Sequence, residues 1–221
     1  MNNFAFTDYF SKFRLALILS LLTIIIFSYS YAGEEIRMSE RKSAMVLMGG
    51  EAFDIPKAYL SPSDELPDRI EKENMIEISF FFPSFSGFGD RDNIATVGPY
   101  NPNQVTAFWT VVNGGGRLDA NNSLKNALKY GLSKRDDKSD TDGLTAYKNA
   151  NNSGVTYHAQ NNHGDDVLIH CTEGPVNSTC KLEYLDSKSN RGIFASFDKK
   201  YLPRWLEVNN KLLCLIKKWK V

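Results

Sequence analysis

The stretch DVLIHCTEGPVNSTCKLEYLD, residues 166–186, decides the fold of this chain. Side chains alternate between the two faces of a strand, so the apolar residues of each half share one face with Cys171 or Cys180. The segment between them, TEGPVNST, is rich in turn-forming residues, so the two halves are expected to pair as antiparallel strands. The sequence therefore predicts a hairpin with both cysteines on its apolar face.

A disulfide between Cys171 and Cys180 is the contact that this hairpin predicts. Opposed strands bring the two Cα atoms into bonding range, and closing a loop of this length contributes about 2–3 kcal/mol to stability. The alternative is that both cysteines bind zinc, which needs further ligands at metal-binding spacing. His170 points to the opposite face of its strand, so we favour the disulfide.

The segment YLPRWLEVNNKLLCLIKKW, residues 201–219, predicts a closing amphipathic helix that begins at Pro203. At helical spacing, its apolar side chains fall on one side: Trp205, Val208, Leu212, Leu215, Ile216 and Trp219. We expect this stripe to face the core, with a membrane surface or a partner helix as the alternative. Cys214, the odd cysteine, falls on the opposite side of the helix.

The first 32 residues predict export. Lys12 and Arg14 precede the uncharged run LALILSLLTIIIFSYSYA, residues 15–32, which ends in the small residues that a signal peptidase reads. We predict cleavage after Ala32 and a mature chain of residues 33–221 in the periplasm; the run is also long enough to remain as an inner-membrane anchor. Export agrees with the predicted disulfide, because disulfides form in oxidising compartments.

Composition excludes one class of partner. The 221 residues balance 26 basic against 26 acidic side chains, whereas nucleic-acid binding needs a clustered excess of Lys and Arg. A mature chain of this size is expected to form a single domain with its own core.

Strand patterns dominate the chain. They occur on both sides of Gly49-Gly50, at residues 75–82, 105–112 and 155–158, and in the cysteine hairpin and the strand after it. One mid-chain helix is predicted to follow a cap at Asn122 or Ser123. Runs of strands without β-α-β alternation indicate an α+β fold, with a mainly antiparallel sheet, one helix mid-chain and the C-terminal amphipathic helix.

The histidines of the chain, His158, His163 and His170, share a short window with Asp165 and Asp166. Such a window invites a metal or acid–base interpretation. Strand alternation does not place the three imidazoles on one surface, and residues 163–166 have the pattern of a hairpin turn. We therefore predict no metal site, no cofactor and no catalytic residue; an envelope hydrolase that uses these side chains is the alternative.

An aromatic loop follows the strand at residues 75–82. It reads PSFSGFGDRDN and carries Phe85 and Phe88 among small residues. Phenylalanine on an open loop suggests recognition of a partner, since isolated exposed rings are otherwise costly. We predict that Phe85 and Phe88 bind a partner; packing of both rings onto their own domain is the alternative.

The chain resembles a group of small exported proteobacterial proteins, some of which are similar to immunity proteins paired with secreted antibacterial toxins. The motifs are FDIPKAY at 53–59, FFPSFSGF at 81–88 and YLPRW at 201–205, together with the export segment and the cysteine hairpin. The resemblance implies a periplasmic binding protein with a protein partner such as a toxin, and it carries over no catalytic residue. A membrane-anchored structural protein of the envelope is a further alternative.

Overall fold

An eight-stranded antiparallel sheet is the main element of the protein. The structure, a computed structural model, describes residues 43–60, 71–87, 101–112, 119–150, 154–172 and 178–221. The predicted export segment, residues 1–32, lies outside the described residues, as does Phe88. In the part that is described, no helix combines the length and apolarity that crossing a bilayer requires.

The described residues form an α+β fold, as predicted. The bounds of its strands and α-helices are β1 Ser43–Met48, β2 Glu51–Pro56, β3 Glu71–Glu73, β4 Met75–Phe81, β5 Gln104–Val111, α1 Ala120–Lys129, β6 Ser133–Arg135, β7 Thr145–Asn149, β8 Val155–Gln160, β9 Asp166–Cys171, β10 Thr179–Asp186, β11 Arg191–Asp198 and α2 Trp205–Trp219. The main sheet has the order β4-β5-β11-β10-β9-β8-β7-β6, and a smaller sheet has the order β2-β1-β3.

One face of the main sheet is buried under α2 and the β1–β2 hairpin. The predicted apolar stripe of α2 is confirmed, with Val208 and Leu212 fully buried and Ile216 partly buried at its margin. The predicted start at Pro203 is wrong, because this proline lies in a 3-10 helix, Lys199–Arg204, that leads into α2. The 3-10 turn accommodates the proline before α-helical hydrogen bonding begins.

The opposite face of the sheet is partly covered by α1, whose Ala120 and Leu124 pack on Leu168. The predicted caps, Asn122 and Ser123, are wrong. Asp119 caps α1, and its carboxylate accepts a hydrogen bond of 3.0 Å from the backbone N–H of Asn122. The helix begins a turn earlier than its apolar pattern indicates, because Ala120 belongs to the buried side.

The predicted disulfide is confirmed. Cys171 and Cys180 face each other in the β9–β10 register, their Cα atoms are 4.0 Å apart, and both residues are fully buried. The hairpin at Gly49-Gly50 and the strands at 75–82 and 105–112 are also present. Three strands were not predicted: β3, β6 and β7.

Replacing both Cys171 and Cys180 with alanine is expected to lower the free energy of unfolding by about 2–3 kcal/mol, because the open loop gives the unfolded chain more freedom. Denaturant titration of the oxidised proteins measures the difference. Cys214→Ser is the matched control, since this thiol is exposed and unbonded. A double variant that is as stable as the wild type would contradict the structural role of the bridge.

Candidate functional site

A cavity of about 590 Å³ lies beside the C-terminal half of α2. Its walls come from β2, from the turn between β8 and β9, from the adjoining ends of β10 and β11 with the turn between them, and from α2. The residues that line it are Glu51, Phe53, His163, Asp186, Lys188, Ser189, Arg191, Ile193, Asn210, Leu213, Cys214, Ile216, Lys217 and Lys220. Its charged groups therefore come from several elements that are far apart in the sequence.

The β1–β2 turn places Glu51 at the mouth of this cavity. Gly49 and Gly50 have φ values of +60° and +82°, which a two-residue hairpin turn requires and which glycine adopts without strain. A Cβ on Gly49 would lie 2.9 Å from a methyl group of Val111, so the turn also packs closely against β5. Because Gly49 has no side chain, the turn that leads into β2 can lie directly against β5 of the main sheet.

An ion-pair chain links the hairpin, the sheet and the helix. Arg191 is 5% exposed, donates to Glu51, and lies with its guanidinium 4.9 Å from the ring centroid of Phe53. Lys220, just after α2, also donates to Glu51. The hydrogen bond from Lys220, with the charge of Arg191, holds the pKa of Glu51 below its ordinary value of 4.5.

The end of β10 carries a buried carboxylate, Asp186. Asp186 ends β10, and its Oδ2 accepts hydrogen bonds from the backbone N–H (3.2 Å) and the hydroxyl of Ser189. This arrangement is typical of aspartate in turns. Its other oxygen, Oδ1, is buried and has no hydrogen-bond partner among the described residues.

The β8–β9 turn brings His163 and Asp165 to the same place. Asn161 organises this turn, because its Oδ1 accepts from the backbone N–H groups of His163 (2.8 Å) and Asp165 (3.0 Å). Its Nδ2 donates to the Asp165 carboxylate at 3.1 Å. The result is a cluster in which ligand atoms of His163, Asp165 and Asp186 lie within 4.8 Å of one another.

A buried tyrosine lies beneath these carboxylates. Burial, with the negative charge of Asp186 as a second cause, raises the pKa of the Tyr184 hydroxyl well above its ordinary value. The hydroxyl therefore stays protonated and donates to Asn209 Oδ1 at 2.8 Å. Asn209 lies inside the apolar stripe of α2, and sequence patterning did not single it out.

The cavity carries an excess of positive charge. Its lining includes Lys188, Arg191, Lys217 and Lys220 against two carboxylates, Glu51 and Asp186. Lys188 and Lys217 are exposed at its rim. The exposed lysines at the rim are suited to an anionic group, such as an acidic side chain of a partner.

The structure separates the predicted histidine window into three environments. His158 contacts Asp166 at 3.1 Å, and His170 lies 3.2 Å from both the Asn149 amide and the Thr156 hydroxyl. In the β8–β9 register these two histidines share the sheet face opposite the core, whereas His163 lies in the turn. Within the described residues, no serine, threonine or cysteine hydrogen-bonds to His158.

Phe85 is partly exposed and packs onto its own domain. Its ring lies 5.9 Å from Phe80 and 5.2 Å from Phe82 between centroids, and Lys211 lies over it. The hydroxyl of Tyr59 donates to the Phe85 carbonyl at 3.0 Å. A role of Phe85 and Phe88 in binding a partner stays a prediction.

The three sequence motifs behind the family resemblance meet around Phe85, on the side of α2 that faces away from the cavity. Tyr201 contacts Phe82 at 4.6 Å between ring centroids, and Tyr59 contacts Trp219 at 4.9 Å. Gly87 lies so close to residue 58 that a Cβ would be 2.4 Å from the Ala58 carbonyl oxygen. These motif residues therefore hold the fold together at the opposite edge of α2 from the cavity.

The cavity residues were missed, although the sequence contains a signal for two of them. Alternation places Asp186 on the same face as Cys180, Leu182 and Tyr184, and it places Arg191 on the face of Ile193. A charge that continues an apolar strand face is either paired or functional. Glu51, Lys188 and Lys217 carry no such signal, because only the fold brings them together.

Comparisons with known proteins give a fold likeness. No protein-family model matches the chain, and the search of curated proteins finds no match. An immunity protein of the Stenotrophomonas maltophilia type IV secretion system superposes with a TM-score of 0.58 at 13% identity, over 81% of this chain and 94% of that one. The Neisseria meningitidis iron-regulated outer membrane lipoprotein FrpD superposes with a TM-score of 0.51 at 12% identity, over 81% and 92%. At these identities the likeness is one of fold.

Replacing Glu51 with glutamine is expected to lower the free energy of unfolding at pH 7 by about 1–2 kcal/mol, because it leaves the buried Arg191 without its counter-charge. We expect less than for a fully buried pair, since solvent reaches Glu51. The pKa of Glu51 is lowered in the folded state, so its contribution is present above pH 4.5 and is lost as the pH falls through the lowered value.

Denaturant titrations at pH 7 and pH 3 measure this loss. Glu207→Gln is the matched control, because Glu207 forms an exposed pair with Arg204 on α2 and should change stability by about 0.5 kcal/mol or less. Equal losses for both variants at pH 7, or a loss for Glu51→Gln that does not shrink at pH 3, would contradict the assigned pairing.

Proposed function

We propose that this chain is an exported binding protein of the immunity or inhibitor type, which binds a toxin or effector protein and blocks its action. The observation that carries the proposal is the fold shared with an immunity protein over 94% of that protein's length. The buried disulfide supports export, because such bonds persist in oxidising compartments.

The binding surface that we propose is the basic rim of the cavity beside α2. Lys188 on the β10–β11 turn and Lys217 on α2 are exposed on opposite sides of the opening. The walls between them include apolar side chains, among them Leu213 and Ile216. An acidic segment of the partner, with one apolar residue beside its carboxylates, would complement both features.

The aromatic loop of Phe85 and Phe88 is the second candidate surface. The ring of Phe85 already contacts its own core, so a partner would meet only its exposed part. Phe85→Ala would also remove core packing, and its effect on binding is therefore interpretable only beside a measurement of stability. The cavity rim does not have this complication, since its lysines are exposed.

Export places the proposed inhibitor where a delivered toxin would act. Residues 1–32 are proposed to direct the chain to the periplasm, either as a cleaved signal or as an inner-membrane anchor.

Co-expression provides the test. A secreted protein encoded beside the gene for this chain is directed to the bacterial periplasm, and growth is measured with and without this chain. We expect the chain to restore growth and to bind the toxin. The double variant Lys188→Glu and Lys217→Glu is expected to bind at least about tenfold more weakly, because charge reversal repels an acidic segment.

The matched control reverses two other exposed lysines, Lys125 on α1 and Lys134 on β6, and should bind like the wild type. Full binding by the Lys188 and Lys217 variant would reject the cavity rim. Failure of the wild-type chain to bind or protect against any neighbouring secreted protein would reject the immunity function itself.

The envelope hydrolase remains the second candidate because His158 contacts Asp166. That contact holds an imidazole in one orientation, as acid–base catalysis requires. His158→Ala separates the two functions, since an inhibitor that acts by occlusion keeps its protection and an enzyme does not. His158 lies outside the cavity rim, so the variant leaves the proposed surface unchanged.

A further inference from the structure

We propose that His163, Asp165 and Asp186 form a binding site for a divalent transition-metal cation such as Zn²⁺. One imidazole nitrogen and two carboxylate oxygens lie within 4.8 Å of one another there. This set of donors suits Zn²⁺, which binds histidine nitrogen and carboxylate oxygen readily. The inference does not depend on the proposed immunity function.

A buried oxygen of Asp186 without a hydrogen-bond partner points to this site. Asp186 is 6% exposed, and its Oδ1 has no hydrogen-bond partner among the described residues. That same oxygen lies 3.9 Å from Nδ1 of His163. A buried carboxylate oxygen without a partner is costly, and a cation bound between the two atoms would satisfy it.

The surrounding groups hold both carboxylates in place. Asp165 is 8% exposed and accepts from the Asn161 amide at 3.1 Å and from the backbone N–H of Ser187 at 3.3 Å. Asp186 accepts from Ser189 through its other oxygen. The two bonds to Asp165 go to different oxygens, and each oxygen keeps a lone pair for a cation. Hydrogen bonds to ligating carboxylates are typical of the outer shell of metal sites, where they fix the orientation of the ligands.

The charge at the three donor atoms is negative, in contrast to the basic rim of the cavity, and it attracts a cation. Two buried carboxylates lie together, and the nearby guanidinium of Arg191 already pairs with Glu51. The tetrahedral geometry of Zn²⁺ places its donor atoms about 3.3 Å apart. The 3.9 Å between Nδ1 of His163 and Oδ1 of Asp186, and the limit of 4.8 Å for all three donor atoms, therefore require side-chain rotation, which the 31% exposure of the His163 side chain allows.

The donor set distinguishes between classes of cation. Imidazole is a good ligand for Zn²⁺ and its transition-metal neighbours, whereas Mg²⁺ and Ca²⁺ prefer six or more oxygens. Since His163 and Asp186 line the cavity, the remaining coordination positions would be open to water or to an acidic group that enters it.

Zinc titration of the full chain tests the proposal. Each protein carries Cys214→Ser, because this cavity thiol could bind zinc itself, and is freed of metal with a chelator. Calorimetry is expected to show one Zn²⁺ per chain, with no binding of Mg²⁺ at the same concentration. Free Zn²⁺ at a hundredfold excess over Kd should raise Tm by about 5–10 °C.

Two variants locate the site. His163→Gln and Asp186→Asn are each expected to weaken Zn²⁺ binding at least about tenfold. The matched controls, His158→Gln and Asp166→Asn, alter the other His–Asp contact of the same hairpin and should bind like the parent protein.

Three results would overturn the proposal. They are the absence of saturable binding of one Zn²⁺ per chain, unchanged binding in His163→Gln, and loss of binding only in the His158 and Asp166 variants. Since His163 lies on a partly exposed turn, His163→Gln should fold normally, and thermal unfolding without metal confirms this.

Discussion

Burial of one face of the eight-stranded sheet under α2 is the interaction on which the remaining structure depends. Val208 and Leu212 of the helix are fully buried against the sheet, and Trp219 is 4% exposed. The chain end is also fixed, because the backbone N–H of Val221 donates to the Ala52 carbonyl at 3.0 Å. The helix thereby joins β2 to the main sheet, and the cavity lies along one edge of this contact.

The candidate site lies where the buried face reaches the end of the sheet. Asp186 and Arg191 continue the apolar faces of β10 and β11, so both charges are buried at the turn that joins these strands. Each needs a partner from another element. Glu51 of the β1–β2 hairpin accepts a hydrogen bond from Arg191. His163 and Asp165 of the β8–β9 turn lie beside Asp186. Burial of this sheet face under α2 forms the core, and it also places the charged ends of β10 and β11 beside the cavity.

Sequence patterning predicted the elements whose own residues carry the signal. The apolar alternation around Cys171 and Cys180 and the helical stripe of α2 are long enough to determine both pairing and burial. Strands β3, β6 and β7 were missed because they are short and mostly polar. Their pairing depends on a neighbouring strand. Of the three, β3 and β6 lie at sheet edges, where polar strands protect a sheet from aggregation.

The cavity shows the limit of the sequence argument in physical terms. Its residues come from β2, two separate turns and α2, so their proximity depends on sheet order and on the path of the helix. Of the three histidines, only His163 lines the cavity, and its partner Asp186 lies at the far end of the cysteine hairpin. Alternation marks Asp186 as unusual, but it does not reveal which groups surround it.

Counting reactive thiols tests the central packing of α2 most directly. The structure places Cys214 on the exposed side of the helix and Cys171 and Cys180 in a buried disulfide. The native, non-reduced protein should therefore react with a thiol reagent once per chain, at Cys214, and reduction after unfolding should raise the count to three. No reaction at Cys214 in the native protein, or three reactive thiols without reduction, would contradict the account.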